Sequence, residues 1–439
     1  MYKLNKLQNG LRVITAPMRG TKTATILVMV GTGSKYETRE NSGISHFLEH
    51  MFFKGTKKRP NTLAISAELD SLGADFNAFT GKEYTGYWVK VDVKKLEQAV
   101  DIVSDMLLNS KFSSVEIERE KGVIIEELNM YEDNPMMHIE DVFEACLYGD
   151  CPAGWDTIGN KGTINSFKRK DFLDYLKAQY AEHNTIVCVA GNIDAKADKL
   201  VEKYFATDDF DKRGKNFREK DLVIERQNKP KVLTEYKKTD QAHLVLGVRS
   251  YGFSEEEKTI IKMMSIILGG SMSSRLFINL RERNGLAYYV RTGSEVYTDC
   301  GYLATQAGVP VEKLEKAIEI ILSEYKKLSK TLVPEKELQR AKDLLSGKLA
   351  IQLEASDNVA NWYGKQAIMA ETVNRELYEG KQNLKKEVLS ADKFLKMINE
   401  ISAADIRHVA RDIFVNEGLN LALIGPFRDK KKFEKLLKF

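Results

Sequence analysis

His46-Phe47-Leu48-Glu49-His50 sits inside Asn41-Ser-Gly-Ile-Ser-His-Phe-Leu-Glu-His-Met-Phe-Phe-Lys-Gly55. A capping residue stands in front of this run and a glycine stop behind it, which predicts a short helix. Two histidines four apart lie one turn from each other on a helix face and can grip the same ion. Glu49, three residues after His46, projects toward that face but beside the ligands, where a general base for a metal-held water belongs. The run is His-Glu-x-x-His reversed, the inverted zinc-peptidase signature.

The chain has six histidines in 439 residues, and two of them flank this glutamate. A lone histidine on an apolar helix is usually an ordinary core residue. Here three ionisable groups stand among Ile44, Phe47, Leu48, Met51 and Phe52, and burying them is costly unless a metal or partner compensates.

The length exceeds one ordinary core, so two or more domains are expected. Hydrophobic content of 43% and charged content of 30% describe a soluble globular protein. The net charge of +4 comes from 67 basic and 63 acidic residues, well mixed, and gives no support to a nucleic-acid partner. Lys430, Lys431 and Lys432 read as a solvated helix start. Cys146, Cys151, Cys188 and Cys300 include no Cys-x-x-Cys pair and read as reduced thiols. The N-terminus has no apolar signal core, and the longest apolar run, from Ala24 to Val30, is too short to span a bilayer. The expectations are a cytoplasmic location and no membrane partner.

Leu4 to Pro17 predicts a hairpin turning at Asn9-Gly10, followed by a strand from Thr23 to Val30. A helix is expected from Asn61 to Leu72, capped by Asn61 and stopped by Gly73. Strands then follow over 74–80 and 83–91, and a helix over 94–108. Ser113-Ser-Val-Glu116 is a capping box opening a long helix that ends before Pro135. Further on, the pattern predicts a helix over 136–147, a loop around Cys151-Pro152, a helix up to Tyr180, a strand over 185–191, and a helix over 195–205.

The second half repeats the first. Residues 91–100 are echoed by 309–318, 185–191 by 419–425, and Glu118-Arg-Glu-Lys121 by Gln339-Arg-Ala-Lys342. Three matches in the same order favour duplication over coincidence. A polar run within 208–220 marks a linker, giving expected domains of 1–207 and 229–439 joined by 208–228. Hairpins are frequent and strands do not alternate strictly with helices. The expected fold class is therefore α+β, two homologous domains with mostly antiparallel sheets packed with helices.

A catalytic zinc site usually takes three protein ligands. The helix after Ser113 offers Glu120, Glu126 and Glu127. Glu120 and Glu127 share a face about 10 Å apart along the axis, so one can reach an ion while the other supports it from behind. Spacing alone leaves Glu126 and Glu127 open as the ligand.

With these residues in place, nearly the whole chain resembles the pitrilysin (insulinase) family of zinc peptidases. The likeness is to its half-length branch, which includes mitochondrial processing peptidase and bacterial relatives. The resemblance implies one zinc ion per chain, with the distal ligand 77 residues after His50, which lands on Glu127. The family's supporting acid, counted with the catalytic set, lands seven residues earlier on Glu120. Leu72 to Thr80 matches the family's substrate-binding edge strand, so Asn77, Ala78 and Phe79 would line the cleft by strand addition. Ser274 to Tyr288 matches the family's Arg-x6-Tyr pair, so Arg281 and Tyr288 would hold the substrate backbone and donate to the oxyanion. Aligning Gly73 with Gly285 sets Leu69 and Phe76 opposite Arg281 and Tyr288, and the match of Gln339–Lys342 to Glu118–Lys121 sets Lys348 opposite Glu127.

The expected activity is that of a zinc metalloendopeptidase degrading short or unfolded peptides in a clamshell chamber. A half-length chain carrying both motifs implies a homodimer whose sites are completed in trans. The competing expectation is a non-catalytic peptide-binding or scaffold subunit of a heterodimeric processing peptidase. His138, His183, His243 and His408 read as structural or surface residues.

Overall fold

Apolar residues occupy both faces of Thr23–Val30, and the strand they form is buried from Ala24 onward. Such a strand belongs inside a sheet covered on both sides. The computed structural model places it so, and describes residues 2–194, 196–207, 210, 212–224, 226–376 and 387–439. Of the expected linker, residues 208, 209, 211 and 225 lie outside the described residues, as does Ala195.

The chain forms two compact units. The first holds a six-stranded sheet built from β1 (Lys3–Lys6), β2 (Arg12–Pro17), β3 (Thr23–Val30), β4 (Asp75–Thr80), β5 (Thr85–Asp92) and β6 (Thr185–Gly191). Their order across the sheet is β1-β2-β6-β3-β5-β4. Among the described residues of this sheet, only β2 and β6 run parallel. β4 is an edge, paired with β5 from Asp75↔Lys90 to Thr80↔Thr85 and, among the described residues, with no strand on its other side.

The second unit holds β7 (Lys231–Tyr236), β8 (Gln241–Ser250), β9 (Tyr289–Val296), β10 (Gly301–Pro310) and β11 (Leu419–Gly425). Their order is β7-β11-β8-β10-β9, again with one parallel pair, β7 with β11. The architecture is α+β with two homologous domains, as the patterning implied.

Each sequence echo is a structural one. β5 and β10 both end in a 3-10 turn, at Val93–Lys95 and Val311–Lys313, before a helix begins at Leu96 or Leu314. β6 and β11 are both entered from a 3-10 turn and are buried throughout. Gly73 and Gly285 both take left-handed φ, +62° and +55°, which favours glycine at each.

In chain order the first helices are α1 (Ile44–Met51), which carries the histidine motif, α2 (Thr62–Ser71), α3 (Leu96–Asn109), α4 (Ser114–Asp133) and α5 (Pro135–Tyr148). After them come α6 (Lys161–Ser166) and α7 (Arg169–Gln179). The single helix expected up to Tyr180 is thus two, because Phe167 turns extended with φ −60° and ψ 136° and α7 takes a new cap at Lys168.

The spatial division also differs from the sequence boundary at 208–228. Residues 129–155 belong to the second unit, and 350–376 and 387–390 to the first. α5 packs on β7, β8 and β11, and the helix Ser356–Glu376 packs on β2, β3, β5 and β6. In the first unit, a Ser356 Oγ–Thr25 Oγ1 hydrogen bond of 2.8 Å anchors that helix. Gly364 lets it approach closely, since a Cβ there would meet Cys188 Sγ at 3.2 Å and Leu27 Cδ2 at 3.3 Å.

Candidate metal centre

α1 buries Ile44, Phe47, Leu48 and Met51, with Phe47 ring-packed against Phe172 at 4.8 Å and Phe167 at 5.9 Å. Burying each large apolar side chain contributes about 2–3 kcal/mol, so the helix is anchored by its apolar face. Its N-terminus is not capped from Asn41, which instead closes a capping box with Thr38. The N-cap is Gly43 at φ +94°, and the caps come from a distance. Glu37, 1% exposed, accepts from Gly43 N at 2.7 Å and Ser45 N at 2.8 Å. Burial pushes the Glu37 carboxyl up to about 7, against the pull of those donors.

α4 is aimed back at α1 by the turn before it. Phe112 holds φ +48°, a strained value for a non-glycine residue costing roughly 1–3 kcal/mol. Its ring is 2% exposed and packs on Phe52 at 5.6 Å, which offsets that strain. α4 then buries Ile117, Glu120, Ile124 and Leu128 along one stripe.

Along that stripe, Glu120 and Glu127 close on the two nitrogens of one imidazole. Glu120 Oε1 is 2.9 Å from His50 Nδ1, and Glu127 Oε2 is 3.4 Å from His50 Nε2 and 3.7 Å from His46 Nε2. Glu126 points to the exposed side. Among the described residues, His46, His50 and Glu127 form the one cluster whose ligand atoms lie within 4.8 Å of one another. The two imidazole rings stand edge to face at 4.7 Å.

The electrostatics divide the two histidines. Burial, then the neighbouring His50, pushes His46 down to about 4, leaving a neutral imidazole. Burial opposes the charge on His50 too, but its bonds to Glu120 and Glu127 outweigh it and raise His50 to about 9. The bond to His50 lowers Glu127. Burial works to raise Glu120, yet His50 and Lys54, whose Nζ is 2.6 Å from Glu120 Oε2, hold it down. Burial raises Glu49, partly offset by the Thr80 hydroxyl that donates to its Oε2 at 2.5 Å. His46 Nδ1 is buried with no hydrogen-bond partner among the described residues.

The edge strand runs beside α1, with Phe53 stacked on Phe76 at 6.5 Å and Thr80 on Glu49. Side chains alternate along a strand, so Phe76, Ala78 and Thr80 share a face. Asn77 and Phe79 take the other face. Phe79 packs there against Tyr84 at 6.2 Å and over Gly86, whose absent Cβ would sit 2.2 Å from the Phe79 ring. Of the three expected cleft residues, Ala78 shares the face of Thr80 toward α1, and Asn77 and Phe79 lie on the other face.

Arg281 and Tyr288 belong to the second unit. Arg281 lies on a π-helical turn, Phe277–Glu282, a form often found at functional sites. Its Nη1 donates to the Tyr288 carbonyl at 3.0 Å, and its guanidinium lies 5.5 Å from the Tyr288 ring centre. Tyr288 is 78% exposed. Lys348, opposite Glu127 in the repeat, donates to the Gly270 carbonyl at 3.5 Å.

Sequence reasoning missed Glu37, Lys54 and Thr80. Lys54 carried a signal, four residues after His50 where the helix continues into a 3-10 turn. Glu37 and Thr80 carried none, because their partners are set by loops and strands from elsewhere.

The model of the insulinase (peptidase family M16) matches residues 12–160, and that of the peptidase M16 inactive domain matches 166–345. An uncharacterized zinc protease of Bacillus subtilis, YmxG, is 34% identical over 97% of this chain and 98% of its own. The chain belongs to the insulinase family, peptidase family M16. An uncharacterized zinc protease of Streptomyces coelicolor is 32% identical over 97% of this M16 chain and 90% of its own. Two solved structures share the fold. One is a protease from Helicobacter pylori, with a TM-score of 0.83 at 21% identity, covering 97% of this chain and 99% of that one. The other is a peptidase M16 inactive domain from Pseudomonas fluorescens, with a TM-score of 0.85 at 16% identity, covering 98% and 99%. Among the described residues of this M16 protein, no helix is long and apolar enough to cross a membrane.

Proposed function

We propose that this chain is a zinc-dependent endopeptidase acting on short or unfolded peptides. The observation that carries the reading is the convergence of His46, His50 and Glu127 beside Glu49. Two imidazole nitrogens and one carboxylate oxygen are the donor set of hydrolytic zinc sites, which keep a further position open. The bond from Glu120 to His50 Nδ1 is the outer support such ligands take, and it leaves Nε2 for the ion.

Zinc, one ion per chain, supplies Lewis acidity when bound. Glu49 takes a proton from the attacking water and passes it to the leaving amine. Its burial and raised proton affinity suit a group that must both accept and release. Glu120 fixes the orientation of the His50 ring. The peptide lies as an added strand on the free edge of β4, held through backbone hydrogen bonds that tolerate many sequences. Arg281 and Tyr288 hold the substrate backbone and donate to the oxyanion. A homodimer completes each site in trans and encloses the peptide in a chamber. The open exposure of Tyr288 supports that role.

The test is Glu49→Gln. It should keep its zinc and lose turnover on an unstructured peptide mixture by about 10²–10⁴-fold. Cleavage at the unmodified rate would contradict the assignment.

A further inference from the structure

We infer that Thr80 is a positioning residue for the peptidase step, tying the carboxylate of Glu49 to the strand on which the substrate docks. The inference rests on the reading just proposed. Thr80 is the last residue of β4 and pairs with Thr85 across the hairpin that closes the sheet edge. Its Oγ1 donates to Glu49 Oε2 at 2.5 Å, a short bond to an acceptor that is itself partly buried. No other hydrogen bond to that carboxylate is made among the described residues, so Oε1 is the oxygen left to exchange a proton.

The geometry explains why a threonine at this place matters. Glu49 rides on α1, whose backbone is locked by its buried apolar face, but a glutamate side chain keeps three rotatable bonds beyond it. One hydroxyl from a neighbouring element removes that freedom. The element is also the free edge on which an extended peptide would pair. Docking surface and proton acceptor are therefore joined by one side chain, and the distance between them is set by the hairpin and not by the ligands. Hairpin position is fixed in turn by backbone bonds from Ser34 N to Gly81 O at 3.2 Å and Lys35 N to Lys82 O at 2.8 Å. Gly33 makes that approach possible, since a Cβ there would lie 2.1 Å from Gly81 O.

The experiment compares Thr80→Val, Thr80→Ser, Glu49→Gln and the unmodified chain on one unstructured peptide substrate. Zinc content and thermal midpoint are measured in parallel. Thr80→Val removes only the hydroxyl from a side chain of the same shape, at a strand position a valine suits. It should bind zinc and unfold like the unmodified chain, keep KM within about threefold, and lose kcat by roughly 10- to 100-fold, a part of what the base itself is worth. Thr80→Ser should restore most of that loss. If Thr80→Val turns over as fast as the unmodified chain while Glu49→Gln is inactive, the positioning role is wrong and the peptidase reading stands. A fall in zinc content or midpoint with Thr80→Val, not restored by serine, would make the residue merely structural. If the unmodified, zinc-loaded chain cleaves nothing, the proposed function fails and this inference fails with it.

Discussion

Lys54 Nζ stands 2.6 Å from Glu120 Oε2, on the opposite oxygen from the one that meets His50. A carboxylate that is 3% exposed is thereby shared between an ammonium and an imidazole. Lys54→Met should leave Glu120 under-compensated and free to turn from the ring. Zinc affinity, read by competition with a chromogenic chelator, is expected to fall about 10- to 100-fold, as losses of outer-sphere support typically do. Lys54→Arg should retain most of it. An affinity unchanged in Lys54→Met would show that Glu120 holds His50 unaided.

Arg59 is 2% exposed and binds three carboxylates. Its Nε and Nη2 reach Glu68 at 2.6 and 2.8 Å, Nη2 reaches Asp101 at 2.7 Å, and Nη1 reaches Asp105 at 2.8 Å. Desolvation opposes the charge, but the three partners raise its proton affinity above the ordinary arginine value. Arg59→Met would strand Asp105, itself 6% exposed, and should cost about 3–5 kcal/mol in denaturant unfolding. Adding Asp105→Leu should recover part of that, because it removes the uncompensated charge. A cost below about 1 kcal/mol would mean the cluster is solvated.

His138 sits 3.7 Å from Asp141 and 3.0 Å from Glu235, and these carboxylates raise it to about 10 despite partial burial. Its folded value lies above the unfolded one. Its contribution is thus complete below about pH 6.5 and drains away as pH climbs toward 10. His138→Gln should destabilise the protein by about 1 kcal/mol at pH 6, discounted because Glu235 is 43% exposed, and by little at pH 10. Midpoints of both chains across that range decide it; a penalty independent of pH would point to packing instead.

If each site is completed by a second copy, two differently damaged chains should repair one another. Glu49→Gln and Tyr288→Phe, each inactive alone, are expected to regain about a quarter of full activity when mixed in equal amounts. That fraction follows from random pairing, where one site in four carries neither lesion. Activity that stays at the level of the separate chains would place both groups in one polypeptide's own site.

The elements set by short-range pattern were the most legible. β3 was expected and found at Thr23–Val30, and Asn61 caps α2 with its side chain accepting from Ala64 N at 2.9 Å. Such features depend on residues within one turn or one hairpin of each other. The break between α6 and α7 was not legible, since Phe167 leaves the helix to bury its ring against Phe47 and Phe172. Tertiary packing there overrides a continuous helical pattern. The face taken by Phe79 was hidden for the same kind of reason, as it depends on the void over Gly86 across the hairpin.

From residue order alone came the paired histidines, the glutamate between them, and the two acids seven apart on a later helix. Helix periodicity is local and forces those side chains onto shared faces wherever the helices end up. Folding settled the rest. It brought Glu127 and not Glu126 to the imidazoles, put Glu37 at the start of α1, set Thr80 against Glu49, and laid α5 and Ser356–Glu376 in units other than those of their sequence neighbours. Each of these depends on which surfaces meet once apolar faces are buried, and no spacing along the chain encodes that meeting.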